Sequence, residues 1–276
     1  MFLLVAGALS SAAITDFIRL FIMKKILPLI LTAIVCLTGF AFVGCNKEDS
    51  SISKHEPQGT YKIAFLGDSI TDKGVYADIV TTHYTDYIRD NYAFVSGIQN
   101  VGLGGSCIAG LPNKDGVTLS FTQRYKNIDK NTNVIVVLGG TNDYGYGSSA
   151  LPNPLGEYGD DTVETFFGAL KVLIDGFEEN YPNSKVVFVT PLYRKEQESN
   201  GIPNKNKYGF TLSRYVEAIK ETCEKRNVAC FDAFNKITEI DAFTYTEYEV
   251  DGLHLNTEGN ILLGKYIGDF LSEILE

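Results

Sequence analysis

Between residues 60 and 276 the chain alternates short, nearly unbroken apolar runs with longer amphipathic ones. The apolar runs predict strands over 62–66, 94–100, 134–138, 185–189 and 228–231, and the stretches between them predict helices over 76–92, 162–181, 211–225 and 257–274. Runs of Val, Ile, Leu and Phe that do not alternate with polar residues suit strands covered on both faces. The fold class is therefore α/β: a three-layer α/β/α domain over 61–276, built on a flavodoxin-like, doubly wound parallel sheet of about five strands with right-handed crossovers.

Ahead of this domain the pattern changes. Met23, Lys24 and Lys25 make a short basic start, 26–43 is an uncharged apolar run, and Gly44 and Cys45 close it before Asn46, Lys47, Glu48 and Asp49. This is the layout of an export signal over 1–44. Cys45 behind a small residue resembles a bacterial lipoprotein lipobox, which implies a mature chain that starts at Cys45 and carries lipid on its sulfur. Met1 and Met23 are the only methionines, so 1–22 is expected to be an over-long gene model. The 46–49 run also resembles the acidic signal that sends some Bacteroidetes lipoproteins to the cell surface. Polar residues and a proline over 50–59 read as a tether, so 45–60 would join lipid to domain. The competing reading makes 1–22 and 26–43 transmembrane helices, since about 18 apolar residues is the lower edge of a span. The basic start, the cysteine position and the polar tail together favour export to a lipid-anchored position on the bacterial membrane.

Composition narrows the partners. With 45% hydrophobic and 21% charged residues the chain can bury a sizeable core. A net charge of −10 without clustered Lys and Arg argues against nucleic acid. Of five cysteines, Cys36 lies in the signal and Cys45 would be lipidated. Cys223 and Cys230 flank a helix-to-strand turn and could pair outside the cytosol or remain buried thiols; Cys107 reads as packing. No His or Cys cluster has metal-ligand spacing, so no metal site is expected.

Chemistry concentrates at the predicted strand ends, where ligands bind on open α/β sheets. The first strand runs into Gly67, Asp68, Ser69, Ile70 and Thr71, where the chain must turn sharply. Ser69 in that position suits a helix N-cap and also a nucleophile, which needs a base, a group that orients the base, and donors for an oxyanion. Asp251 lies three residues before His254, close enough to hold the ring's Nδ1 proton and leave Nε2 for a serine hydroxyl. His55 in the tether and His83 on an expected surface helix lack such a neighbour, and Asp68 reads as a loop-organising carboxylate. Gly104 and Gly105 follow the second strand, and Gly140, Thr141, Asn142 and Asp143 the third. A glycine N–H and an asparagine amide are suitable oxyanion donors. The long loop over 144–161 is expected to wall the site, and Tyr144, Tyr146, Tyr158 and Tyr193 offer faces for sugar rings.

These blocks, in this order, resemble the SGNH hydrolases, also called the GDSL esterase family. Gly67-Asp68-Ser69 matches the nucleophile motif, Asn100 to Gly105 the glycine block, Gly140-Thr141-Asn142-Asp143 the asparagine block, and Asp251-Gly252-Leu253-His254 the Asp-His block. The resemblance implies Ser69 as nucleophile, His254 as general base and then acid, and Asp251 as its orienter. It also implies an oxyanion hole from the N–H groups of Ser69 and Gly105 and the Asn142 amide, with no cofactor. The Gly-x-Ser-x-Gly hydrolase fold fits less well, because Thr71 stands where its second glycine would be. Family members act on lipids, acyl thioesters, small esters and acetylated sugars. Export favours an acetyl or other short acyl ester on extracellular carbohydrate. The alternatives are a lipase, lysophospholipase or thioesterase, and a non-catalytic glycan-binding lipoprotein.

Overall fold

Five strands form one sheet: β1 (Tyr61–Gly67), β2 (Val95–Gly102), β3 (Val134–Leu138), β4 (Lys185–Val189) and β5 (Ala229–Phe231). All neighbouring pairs run parallel, in the order β2-β1-β3-β4-β5. A computed structural model of the chain describes residues 57, 59–110, 120–145 and 153–275. The expected signal over 1–44, Cys45 and most of the 45–60 tether lie outside them.

The central strands β1, β3 and β4 are mostly apolar because successive side chains enter different cores, whereas edge strand β2 carries Ser96, Gln99 and Asn100 and is only partly buried. Ile63, Phe65, Val134, Val136, Val187 and Val189 face one cluster, while Ala64, Leu66, Ile135, Val137 and Phe188 face the other. Helices α1 (Tyr84–Asn91), α2 (Phe166–Asn180), α3 (Leu212–Arg226) and α4 (Thr257–Ile274) cover the two faces. The first cluster takes Tyr84 and Ile88 of α1 with Leu263, Ile267 and Leu271 of α4, and the second takes Phe166, Leu170, Leu173 and Phe177 of α2 with Leu212, Tyr215 and Ile219 of α3. Each fully buried side chain of this size contributes about 1.5–3 kcal/mol. The three layers and the flavodoxin-like strand order are those expected.

One helix differs from expectation. The pattern over 76–92 predicts a single helix, but α1 starts only at Tyr84. Gly74 and the left-handed backbone of Tyr76 (φ 55°) break the earlier part into turns. His83 is consequently not on a helix surface: it is buried, caps α1 by accepting from Thr85 N, and donates through Nε2 to Ile70 O at 3.1 Å. Burial pushes its imidazole down to about 4, so it stays neutral. Other boundaries shift by a few residues; α2 starts at Phe166 because Thr165 accepts from Gly168 N. A short hairpin, Glu198–Ser199 against Ile202–Pro203, was not legible. Cys223 and Cys230 are free thiols.

The strand order places a topological switch point beside β1, since the chain leaves β1 for β2 on one side and finds β3 on the other. Backbones crowd there. A Cβ on Gly102 would lie 2.4 Å from the Thr71 carbonyl carbon and 2.5 Å from Asp72 N. Gly102→Ala is therefore expected to lower Tm by several degrees, at about 3 °C per kcal/mol for a domain of this size. Gly104→Ala, whose Cβ would meet only ordinary contacts, is expected to melt close to wild type. Circular dichroism melts of both variants check this.

Candidate active site

The chain leaves β1 through a turn in which Thr71 N and Asp72 N both donate to Asp68 O, at 3.1 and 2.9 Å. Asp68 is buried, and its Oδ1 accepts from Ile70 N at 3.0 Å. Burial pushes its carboxyl up to about 6, against the pull of that N–H. This matches the loop-organising part expected for it. Ser69 stands on the outside of the turn.

Side chains tie this turn to the glycine loop. Asn100 donates to Thr71 O (2.7 Å) and accepts from Gly102 N (2.9 Å), while Asp72 Oδ2 accepts from Gly104 N (2.9 Å). Arg124 bridges the strand ends, donating to Val101 O (2.5 Å), Gly67 O (2.9 Å) and Ser106 Oγ (2.9 Å). On the far side, Asn142 sits in the helical turn Thr141–Tyr144 and donates to Ser106 O at 2.8 Å. Asp143 beside it is buried and accepts from Ile108 N (2.8 Å), Ala109 N (2.9 Å) and Asn153 Nδ2 (3.0 Å). Burial pushes Asp143 up to about 6 as well. Three loops after β1, β2 and β3 thus form one hydrogen-bonded unit.

Within that unit Gly104 N is occupied by Asp72, whereas the N–H groups of Ser69 and Gly105 have no partner among the described residues. Gly105 takes a left-handed φ of 75° and is exposed. Its amide is thereby free for a ligand.

The base arrives from the loop before α4. An isolated antiparallel bridge, Glu249 to Leu255, pinches that loop, and Val250 N donates to His254 O at 2.7 Å. Asp251 Oδ1 accepts from Leu253 N (3.1 Å) and His254 N (2.9 Å). Its Oδ2 accepts from His254 Nδ1 (2.8 Å) and Tyr76 Oη (3.0 Å). His254 Nε2 lies 2.9 Å from Ser69 Oγ. With the proton held on Nδ1 and donated to the carboxylate, Nε2 is the acceptor for the serine hydroxyl. Partial burial pushes the Asp251 carboxyl up, but the His254 backbone and side-chain N–H groups outweigh it and hold it below the usual range. The arrangement can carry a proton off a hydroxyl at Ser69. Among the described residues no group of His, Cys, Asp and Glu has the arrangement to hold a metal.

Several nearby residues were not read from the sequence. Tyr76 lay inside a predicted helix, and Gly74 two residues earlier was the available signal against it. Arg124 and Glu249 carry no motif. The tyrosine expectations need correcting: Tyr144 is fully buried with its hydroxyl on Asn204 O, and Tyr158 packs edge-on to Phe167 under Lys225. Tyr144 belongs to the core side of α2 and α3, Tyr158 is exposed over Phe167 of α2, and Tyr146 lies outside the described residues. Tyr193 pairs with Tyr245, their centroids 6.4 Å apart. From Asn153 onward the 144–161 loop is anchored on Asp143 and the Tyr215 hydroxyl (2.6 Å).

A parallel α/β sheet with a serine, an imidazole and a carboxylate in hydrogen-bonded series at its carboxyl end defines a class of ester-bond hydrolase. The chain belongs to the GDSL-like lipase/acylhydrolase family, whose model matches residues 65–261. No curated protein matches it. A solved protein from Lactobacillus plantarum is 27% identical, covering 79% of this chain and 99% of its own at a TM-score of 0.67. A second solved structure is 30% identical over 79% and 98%, with a TM-score of 0.66. An acetyl-xylooligosaccharide esterase from Geobacillus shares the fold at 20% identity, 78% and 95% coverage and a TM-score of 0.52. The chain is a hydrolase of ester bonds.

Glu249, two residues from Asp251, is buried with neither carboxylate oxygen hydrogen-bonded among the described residues. Burial, then the Asp251 charge, push it up to about 8, with Arg194 opposing. Because the folded state holds this proton where the unfolded chain has lost it, stability falls as pH rises from about 4.5 toward 8. Glu249→Gln removes the titration at equal volume. Its Tm is expected to exceed wild type by a few degrees at pH 8 and to converge with it at pH 4 in paired calorimetric scans.

Proposed function

We propose that this chain is an exported serine esterase that removes O-acyl groups, chiefly acetyl, from carbohydrate, through a Ser69–His254–Asp251 triad and an acyl-enzyme. The observation that carries the reading is the unbroken series Ser69 Oγ–His254 Nε2 (2.9 Å) and His254 Nδ1–Asp251 Oδ2 (2.8 Å). His254 accepts the Ser69 proton as Oγ attacks the acyl carbon, and Asp251 steadies the imidazolium. The open N–H groups of Ser69 and Gly105, with the Asn142 amide, face the oxyanion as charge develops. His254 then returns the proton to the departing sugar hydroxyl. Water, deprotonated the same way, releases the acid.

Three features support a short acyl group on a sugar. The cleft beside Ser69 and His254, lined by Ile70, Val75, Tyr76, Val80 and Leu255, is small. Tyr193 and Tyr245 sit beside the base-bearing loop, which Lys195 N joins by donating to Gly252 O at 2.8 Å. Aromatic faces there suit a pyranose ring. The Geobacillus neighbour is an acetyl-xylooligosaccharide esterase. Lipidation at Cys45, after a signal over 1–44, would hold the domain over 61–276 on a tether at the membrane, where polymeric esters are met.

Two experiments test this. With a series of p-nitrophenyl esters, wild type is expected to prefer acetyl and Ser69→Ala to lose about 10³-fold or more in kcat. Preference for long acyl chains would favour a lipase, and equal rates for the two proteins would remove Ser69 from the chemistry. For the anchor, inhibiting the lipoprotein signal peptidase is expected to accumulate a precursor of the wild type. Cys45→Ser should not be processed even without inhibitor; normal processing of that variant would refute lipidation.

A further inference from the structure

Asp251 is unusually open for a carboxylate that orients a catalytic imidazole: its side chain is 37% exposed and that of His254 20%. Two backbone N–H groups fix Oδ1, but Oδ2 is left to side chains alone, and it is shared between His254 Nδ1 at 2.8 Å and the Tyr76 hydroxyl at 3.0 Å. Tyr76 comes from a different part of the chain, 175 residues earlier. Its ring stands edge-on to the His254 imidazole with centroids 5.6 Å apart, so it touches both members of the pair. It also lines the cleft beside Ser69.

Tyr76 holds this place at a backbone cost. Its φ of 55° lies in the left-handed region that a bulky side chain rarely adopts, and the turn is closed by Ile79 N and Val80 N, which donate to Tyr76 O at 3.0 and 2.9 Å. Strain of this kind persists where the surroundings over-determine it, and it gathers at functional sites. The same turn keeps the chain from continuing α1 backwards, which would carry residue 76 away from Asp251.

We propose that Tyr76 is a positioning residue of the hydrolase, which fixes the Asp251 carboxylate through Oδ2 and tempers its charge toward His254. The proposal rests on the triad reading above. A hydrogen bond from the phenol takes up part of the carboxylate charge that would otherwise act on the imidazole. Without it, Asp251 favours the imidazolium more strongly, the base holds its proton to higher pH, and the carboxylate is free to turn toward water. The other ionisable groups around the pair are Glu249 on the same loop, Asp68 beneath the Ser69 turn, Asp72 and His83 in the cleft lining, and Lys195 packed on Gly252. None of them is changed with Tyr76.

The test is the pH–rate profile of kcat/KM on p-nitrophenyl acetate for wild type, Tyr76→Phe, Asp251→Asn and the double variant, with Ser69→Ala as reference. Tyr76→Phe keeps the ring against His254 and removes one hydroxyl. Its acidic limb is expected to move up by about half a pH unit, with roughly a three- to tenfold loss in kcat. In the Asp251→Asn background the same change is expected to have little further effect, because Tyr76 acts through that carboxylate. A superimposable acidic limb, or an undiminished loss in the Asp251→Asn background, overturns the proposal. If Ser69→Ala keeps wild-type rates, the triad reading itself fails; if Ser69→Ala is inactive and only the Tyr76→Phe profile is unmoved, the role of Tyr76 alone fails. Should Tyr76→Phe melt early, Tyr76→Leu, which also lacks the hydroxyl, supplies the second reading below its melting transition; an unmoved acidic limb in both variants also overturns it.

Discussion

The site depends on how closely two backbones approach at the end of the central strand. The turn after β1 folds back until Thr71 lies against Gly102 with no room for a Cβ between them. Gly67 makes the same demand from the other side, where a Cβ would fall within 1.9 Å of Thr71 Oγ1. Only with both side chains missing can Asn100 and Asp72 stitch the Ser69 turn to the glycine loop. That stitching occupies Gly104 N and leaves the N–H groups of Ser69 and Gly105 open. A packing constraint thus decides which amides are offered to a ligand.

Around this frame the carboxylates divide into two kinds. Asp68, Asp143 and Glu249 are buried, and burial pushes each of them up. The first two organise loops through backbone N–H groups. Asp251 is partly exposed, accepts from Leu253 N, His254 N, His254 Nδ1 and the Tyr76 hydroxyl, and is held below the usual range. Environments that drive carboxyl groups apart in this way assign them different work. The group kept charged is the one in contact with the imidazole, so the charge sits where an imidazolium would form.

Much of the fold was legible because burial on both sheet faces leaves a direct mark: uninterrupted Val, Ile, Leu and Phe in strands β1, β3 and β4. The residues now found at the strand ends were legible for a related reason, since Ser69 and Asn142 each follow such a run, Gly105 ends the Asn100 to Gly105 glycine block, and His254 has Asp251 one turn away. What escaped was set by contacts between distant segments. Tyr76 reaches Asp251 across 175 residues, and its backbone conformation contradicts the helical pattern in which it is embedded. His83 looked like a surface position, yet the break at Tyr76 turns it inward onto Ile70 O. Tyr144 looked like a loop residue available to substrate, but Asn204 and Tyr215 enclose it. Periodicity reports which face is buried, not which distant residue does the burying.

The central claim, that Ser69 is a nucleophile activated by His254, is tested most directly by covalent trapping. Wild type and His254→Ala would be treated with a fluorophosphonate, digested, and mapped by mass spectrometry. The account predicts one phosphonylated residue, Ser69, in wild type, and labelling slowed by roughly 10²-fold or more in His254→Ala, as expected when a general base is removed. A label at another residue, or equal labelling of Ser69 in both proteins, would contradict it.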